Sequence, residues 1–378
     1  LYSKRSNALN NAVDDKAGAM TKLGRRKFLM VSSAVAGSGF LKACAPDLSA
    51  PDASASGTTT VNSPPQSEIK VGLLHSLSGT MALSETPIVD AEMLAIEEIN
   101  AKGGLLNQQL VPIQEDGASD WPTFAEKAEK LIDQDRVAVI FGGLTSASRK
   151  AMLPVVKAKN HLLWYPGAYE GEECAEQIFY AGATANQQIE PAVDWMLGNR
   201  GKNFFLVSSN ARTTHEIVKA QLKAKGGKVT GETYVPVDSS TNADMTPLIS
   251  DIKQALPQGG VIFNSLIGDY NRVFFKALKG AGLSVDKYLV ISVGIGEEEV
   301  FQIGSGLMRG HYAASNYFQT IKSPQNEKWI AEFQRKYGPD RVLGDAMESA
   351  YVMVHLWAQA VTAAQSLDPL AVSAATYN

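Results

Sequence analysis

The sequence predicts an α/β protein of two similar lobes, each a parallel sheet flanked by helices. Three observations predict it. From Ile69 onward, short apolar runs of strand length alternate with helical patterns. The runs end in polar or glycine-bearing loops, as buried parallel strands do when a helix follows. After four such units the alternation restarts near Ala185, and 378 residues exceed what one typical core accommodates.

In chain order, 69–74 is the first strand and ends in a polar loop, 75–80. The next helix places Ile88, Ala91, Ala95, Ile96 and Ile99 on one face and stops at Gly103-Gly104. A second strand, 110–114, precedes a helix that opens at Trp121-Pro122, with proline in the first turn and Asp120 as its cap. The run 137–141 has the length and β-branching of a buried strand, stopped by Gly142-Gly143. A helix then carries Ala151, Val155 and Ala158 on one face. The fourth strand, 162–165, ends in a turn holding Gly167, Tyr169 and Glu170.

The second series has strands at 204–207, 229–235, 261–264, 288–293 and 310–314. Helices are expected at 188–197, 214–225, 244–255 and around Val273–Ala281. Helices at 329–337 and 348–364 return to the first lobe. Lobe 1 is therefore 69–184 with 319–364, and lobe 2 is 185–318.

The first 43 residues differ from the rest. Arg25-Arg26 followed by Lys27-Phe28-Leu29-Met30 is a twin-arginine leader pattern. An apolar, small-residue run to Leu41 comes next, too short for a membrane span. Leu41-Lys42-Ala43-Cys44 reads as a lipoprotein processing site, with Lys42 a departure from the small residue preferred there. Lipid on Cys44 would tether the chain to a membrane without spanning it. A plain secretory leader with an incidental cysteine is the alternative. Residues 44–68, rich in Ala, Ser, Thr, Pro and Asp, read as a flexible tether.

The leader holds eight Lys/Arg against two Asp, a net of +6, so of the whole-chain −4 the remainder carries about −10. That balance, with no basic stripe, argues against nucleic-acid binding. With Cys44 modified, Cys174 has no disulfide partner. The five histidines lack metal-ligand spacing, and there is no phosphate loop of the G-x-x-x-x-G-K-[ST] kind and no G-x-S-x-G elbow. Neither catalysis nor a cofactor is indicated. A two-lobed α/β chain instead binds a ligand at the carboxyl ends of its strands. The hydroxyl-rich turn after 137–141 fits such a wall, and it fits an ordinary α/β turn with a surface serine cap equally.

Four stretches carry a resemblance: GGLTSASRKAMLPV at 142–155, LLWYPGAYEGEEC at 162–174, EDGASDWPTFAEKA at 115–128 and NQQIEPAVDWML at 186–197. From Ile69 to its last residue the chain resembles the periplasmic urea- and short-chain-amide-binding proteins of ATP-driven importers, within the leucine/isoleucine/valine-binding superfamily. The resemblance implies the two-lobed type I periplasmic-binding-protein fold. It also implies an extracytoplasmic carrier that serves ABC permease and ATPase subunits and binds urea or a small amide. Carried over residue by residue, Ser146 matches the serine that hydrogen-bonds the amide, and Tyr165 and Gly167 match pocket-lining positions. Thr145 and Tyr169 flank them.

From lobe 2, the loops at Asn210, at Leu266 to Asp269 and at Gly294 to Glu298 face the same crevice, with Asn210, Gly268, Asp269 and Glu297 as the candidate contacts. Asp269 competes as a helix cap, and Glu297 to Glu299 also read as a solvated first helical turn. Two departures stand out. Leu144 occupies a position commonly aromatic in the family, and the 209–214 loop is short, without the family's aromatic segment. Relatives continue past the position of Asn378, so 365–378 reads as the start of a truncated return segment. A branched-chain or other amino-acid-binding protein of the same superfamily and an amide-sensing ligand-binding domain are the alternatives.

Overall fold

A computed structural model describes residues 67–171, 173–209, 212–236 and 243–377, all within one compact unit, Asn62–Asn378. Arg25, Arg26, Cys44 and Asn210 lie outside the described residues.

The first sheet holds β1 (Glu68–His75), β2 (Gln109–Asp116), β3 (Ile140–Gly142), β4 (Leu163–Tyr165) and β5 (Ile178–Tyr180). The second holds β6 (Asn203–Ser208), β7 (Lys228–Tyr234), β8 (Gly260–Ser265), β9 (Tyr288–Ser292) and β10 (Tyr312–Ala313). Every pairing is parallel. The orders are β2-β1-β3-β4-β5 and β7-β6-β8-β9-β10, the same permutation twice. Each sheet therefore has one switch point, beside β1 and β3 in the first and beside β6 and β8 in the second. Crevices form outside the carboxyl ends of strands at such points.

Both sheets are covered on both faces, which is why their strands read as continuous apolar runs rather than alternating ones. Helices α1 (Ala82–Ala101), α2 (Trp121–Asp133) and α3 (Ser146–Ala158) follow the first strands of the first sheet. In the second sheet the flanking helices are α4 (Ile189–Asn199), α5 (Arg212–Lys225), α6 (Thr246–Ala255) and α7 (Asp269–Gly280). Two short helices, α8 (Glu297–Ile303) and α9 (Ser305–Met308), follow β9. The chain then returns with α10 (Pro324–Tyr337), α11 (Asp345–Ala364) and α12 (Pro369–Thr376). Leu94, Ile96, Phe333, Met353 and Trp357 share one buried cluster with β1 and β3, so α10 and α11 belong to the first sheet's core. The Trp357 ring meets Phe141 edge-on at 5.6 Å.

Local chemistry fixes the element ends. The Asp120 carboxylate accepts from Thr123 N, capping α2 as expected. Gly104, at φ +81°, closes α1 with its N–H on the Ile99 carbonyl at 3.0 Å.

Three expectations need correction. The strand at 137–141 is paired in register only over Ile140–Gly142, although Ala138 N and Val139 O still bond to β1. The first sheet has five strands rather than four, because β5 follows the 166–171 turn. Helix α6 starts at Thr246, with the Asp244 carboxylate accepting Thr246 N at 2.9 Å just before it.

Among the described residues no helix is long and apolar enough to cross a membrane, and no group of three or more His, Cys, Asp or Glu could hold a metal ion. Cys174 is an exposed free thiol.

Candidate functional site

The loops at the carboxyl ends of both sheets enclose one cleft of about 480 Å³. The first sheet supplies Met81 and Ser84 after β1, Leu144 to Ala147 after β3, and Ala168 to Glu170 after β4. The second supplies Ser209 and Arg212 to Thr214 after β6, Ser265, Ile267 and Gly268 after β8, and Val293 to Gly296 after β9. The first residues of α11 join the lining.

The wall after β3 is built by capping. Thr145 is the N-cap of α3; its Oγ1 accepts from Ser148 N at 3.0 Å, and the Ser148 hydroxyl is within 3.2 Å of Thr145 N. Ser148 is thereby buried and spent on the cap. Ser146, two positions earlier, lines the cleft and donates its hydroxyl to Glu170 Oε1 at 2.5 Å. Tyr169 lines the same wall and stacks on Tyr180 at 4.1 Å.

Tyr165 and Gly167 stand behind this wall rather than on it. Tyr165 is fully buried and donates its hydroxyl to the Leu144 carbonyl at 2.7 Å. Burial pushes the phenol's pKa well above its ordinary range despite nearby Arg149. A Cβ on Gly167 would lie 2.4 Å from the Leu144 carbonyl oxygen and 2.5 Å from the Tyr165 hydroxyl. Tyr165 holds the Leu144 backbone, Gly167 leaves it room, and neither lines the cleft.

On the opposite side, Gly268 lines the cleft at φ +55°. It also takes the N-cap position of α7, so Asp269 is the first helical residue and not the cap. The Asp269 carboxylate pairs with Arg272 outside the cleft, while its backbone N–H donates to Thr80 O of the first half at 3.1 Å. Gln302 Nε2 makes a second cross-contact, to Leu83 O at 3.0 Å.

Glu297 to Glu299 form the first turn of α8, as expected, but that turn is not solvated. Glu298 is only 6% exposed, and it is Glu298 and Glu299, not Glu297, that line the cleft. The Glu297 carboxylate accepts from Gln319 N at 2.7 Å. Burial, then repulsion from neighbouring acids, raises the pKa of Glu297, Glu298 and Glu299 above the usual carboxylate range. Burial does the same to Asp345.

Sequence reasoning missed Trp121, Lys150, Gln188, Asp345 and Met347 in the lining. Gln188 sits in the 186–197 motif, and its amide donates to Val293 O at 2.9 Å and Ala314 O at 2.7 Å. The motif marked it; only the fold shows what it bridges. Below the cleft, His75 is buried between Glu92, at 2.9 Å, and Glu85, at 3.5 Å. Burial alone would lower its pKa, but the two carboxylates raise it to about 10.

The periplasmic binding protein domain family matches residues 69–378. The chain is 23% identical over 335 residues to a Leu/Ile/Val-binding protein homolog 7 of Brucella melitensis, covering 82% of this chain and 81% of that one. A solute binding protein of an ABC transporter from Rhodopseudomonas palustris, solved with 3,4-dihydroxybenzoic acid, has a TM-score of 0.73 at 21% identity, covering 82% and 84%. A branched-chain amino acid transporter substrate binding protein from Streptococcus pneumoniae, solved with isoleucine, has a TM-score of 0.71 at 20% identity, covering 82% and 87%. These structures share the fold.

Proposed function

Because this chain belongs to the periplasmic binding protein domain family, we propose that it captures a small N–H-rich solute, urea or a short amide, and delivers it to an ABC importer. The moving bodies in this reading are 69–184 with 319–364, and 185–318. A solute touching both makes the closed form dominant, and that form docks on the permease and its ATPase partners.

One observation carries the solute class: the cleft is rich in acceptors. Ser146 and Glu170 place oxygens on one wall, and Glu299 and Asp345 add carboxylates where α8 meets the start of α11. Urea and amides offer N–H donors that these groups accept, whereas a carboxylate-only solute would meet like charge. A four-heavy-atom ligand has a ceiling of roughly −6 kcal/mol, or a Kd of tens of micromolar.

A second reading is an amino acid. The cleft of 480 Å³ exceeds what urea fills, since water occupies about 30 Å³ per molecule in the liquid. Lys150 and Arg212 line the cleft with no carboxylate partner among the described residues, as an α-carboxylate would require. The Streptococcus pneumoniae protein solved with isoleucine fits this reading.

Isothermal calorimetry with urea, acetamide, leucine and benzoate separates the two. The amide reading expects heat with urea or acetamide, and about a tenfold loss in Ser146→Ala. Heat with leucine alone moves the assignment to amino acids. The leader and Cys44 complete the proposal: export through Arg25-Arg26, then lipid anchoring. Cys44→Ala is expected to release the protein from the membrane fraction, and retention there would refute the anchor.

A further inference from the structure

We propose that Arg149 is the positioning residue of the ligand corner: its guanidinium, gripped from behind by Glu173, orients Glu170 and Ser146 toward the cleft and so sets which solutes the corner accepts.

The Arg149 side chain is 1% exposed. A charge so placed must be paired, and its partners are unequal. Glu173 takes the fork, with Nε on Oε1 at 2.9 Å and Nη2 on Oε2 at 3.5 Å. What remains faces the cleft: Nη2 lies 3.6 Å from Glu170 Oε2, and Nη1 lies 3.4 Å from the Ser146 hydroxyl oxygen. Ser146 and Arg149 are three apart on α3, hence on one helix face.

A frame of tyrosines fixes the group. The rings of Tyr165, Tyr169 and Tyr180 lie 4.8, 5.3 and 5.7 Å from the guanidinium carbon. Tyr180 donates its hydroxyl to Glu173 Oε1 at 2.8 Å, which holds Glu173 in turn. Burial would raise the Glu173 carboxyl's pKa, yet the Arg149 and Tyr180 hydrogen bonds hold it below its ordinary range.

The asymmetry matters for binding. Glu173 absorbs the strong two-point pairing, so Glu170 has a cation near enough to anchor it but does not spend its oxygens on a direct fork. Glu170 Oε1 takes the Ser146 hydroxyl, and the remaining lone pairs are free to accept N–H from a solute. One guanidinium serves two carboxylates, so the corner keeps a surplus negative charge that disfavours carboxylate solutes. Exposed Lys150 in the same wall is screened by solvent and offsets this only in part.

This inference rests on the amide reading for the ligand class, and the test separates the two. In Glu173→Gln the guanidinium is expected to swing onto Glu170. Acetamide then binds at least tenfold more weakly while the benzoate Kd stays level or falls. Arg149→Lys, which keeps the charge but not the fork, shifts the ratio the same way. Equal loss for both probes, or a lower Tm with unchanged Kd values, would reduce Arg149 to a packing role. If the wild-type chain binds neither probe, the amide reading fails, and the crystal structure of Glu173→Gln decides the rest. Loss of the Ser146–Glu170 contact supports the positioning role, and its retention overturns it.

Discussion

The two sides of the cleft differ in how their polar groups are satisfied. After β3 and β4, Thr145 and Ser148, Ser146 and Glu170, and Tyr165 and the Leu144 carbonyl each pair by hydrogen bonds behind or on the wall. Where α8 meets the start of α11, Glu297 Oε2 and Glu298 Oε2 are buried without a partner, and acids crowd one another. The first wall is therefore preformed and needs no ligand to hold its shape. The second concentrates poorly compensated carboxylates, so on the proposed clamp reading closure has an electrostatic cost that a bound solute must offset. On the proposed reading, recognition sits on the quiet wall and the control of closure on the frustrated one.

The largest test of that division is Gly268. A Cβ there would lie 2.3 Å from the Thr80 carbonyl oxygen across the cleft, and φ is +55°. Gly268→Ala should hold the halves apart without touching either core. Expected are a Kd for the cognate solute about a hundredfold weaker, roughly 2.7 kcal/mol, and no ligand-induced drop in the radius of gyration by small-angle scattering. Wild-type affinity in this variant would show that closure does not need the contact with Thr80.

The second test uses pH. Glu298 holds its proton to a higher pH in the folded chain than its ordinary 4.5, so above that value the native state binds more protons than the unfolded one. Its contribution to stability is greatest below about 4.5 and falls as pH rises through the raised folded value. Asp90 adds repulsion, while Arg341 and Gln302 act against it. Glu98, on the outer face, behaves oppositely. Burial would raise it, but His355 and Tyr351 lower it to about 2, so its contribution is lost as pH falls from 4.5 toward 2. Glu298→Gln should raise Tm by roughly 2 °C at pH 8, for a gain of about 1 kcal/mol, and by nothing near pH 4.5. A gain that is the same at both values would point to packing rather than charge.

The quiet wall was legible in the sequence because local chemistry builds it. A short apolar run, two glycines and a hydroxyl cluster specify strand, turn and cap, and Thr145 and Ser146 stand where that pattern puts them. Tyr165 misled because a strand end does not say which way its last side chain points; burial under Leu144 decides that. The frustrated wall was not legible. Glu297 to Glu299 look like any acidic first turn, and only the approach of Gly344 and Asp345, far along the chain, buries them. Strand β5 escaped for a related reason: three residues show no period, and pairing with β4 makes them a strand.

The smallest expected effect lies at Gln302, and it probes both ideas together. Its amide donates to Leu83 O at 3.0 Å across the halves and to Glu298 Oε1 at 2.9 Å within its own helix. It lines no part of the cleft, so its removal deletes no direct solute contact. Gln302→Ala deletes one cross-contact at the cleft edge, worth about 1 kcal/mol, so solute Kd should rise about fivefold. It also removes a donor that stabilises the Glu298 carboxylate, so the closed form of the variant has a larger ionisation cost above the ordinary carboxylate range. The loss should accordingly be greater at pH 8 than at pH 5, where more of Glu298 keeps its proton. Calorimetry at the two pH values reads the difference directly. A loss independent of pH would mean that the Leu83 contact acts alone and that the unpaired carboxylates do not govern closure.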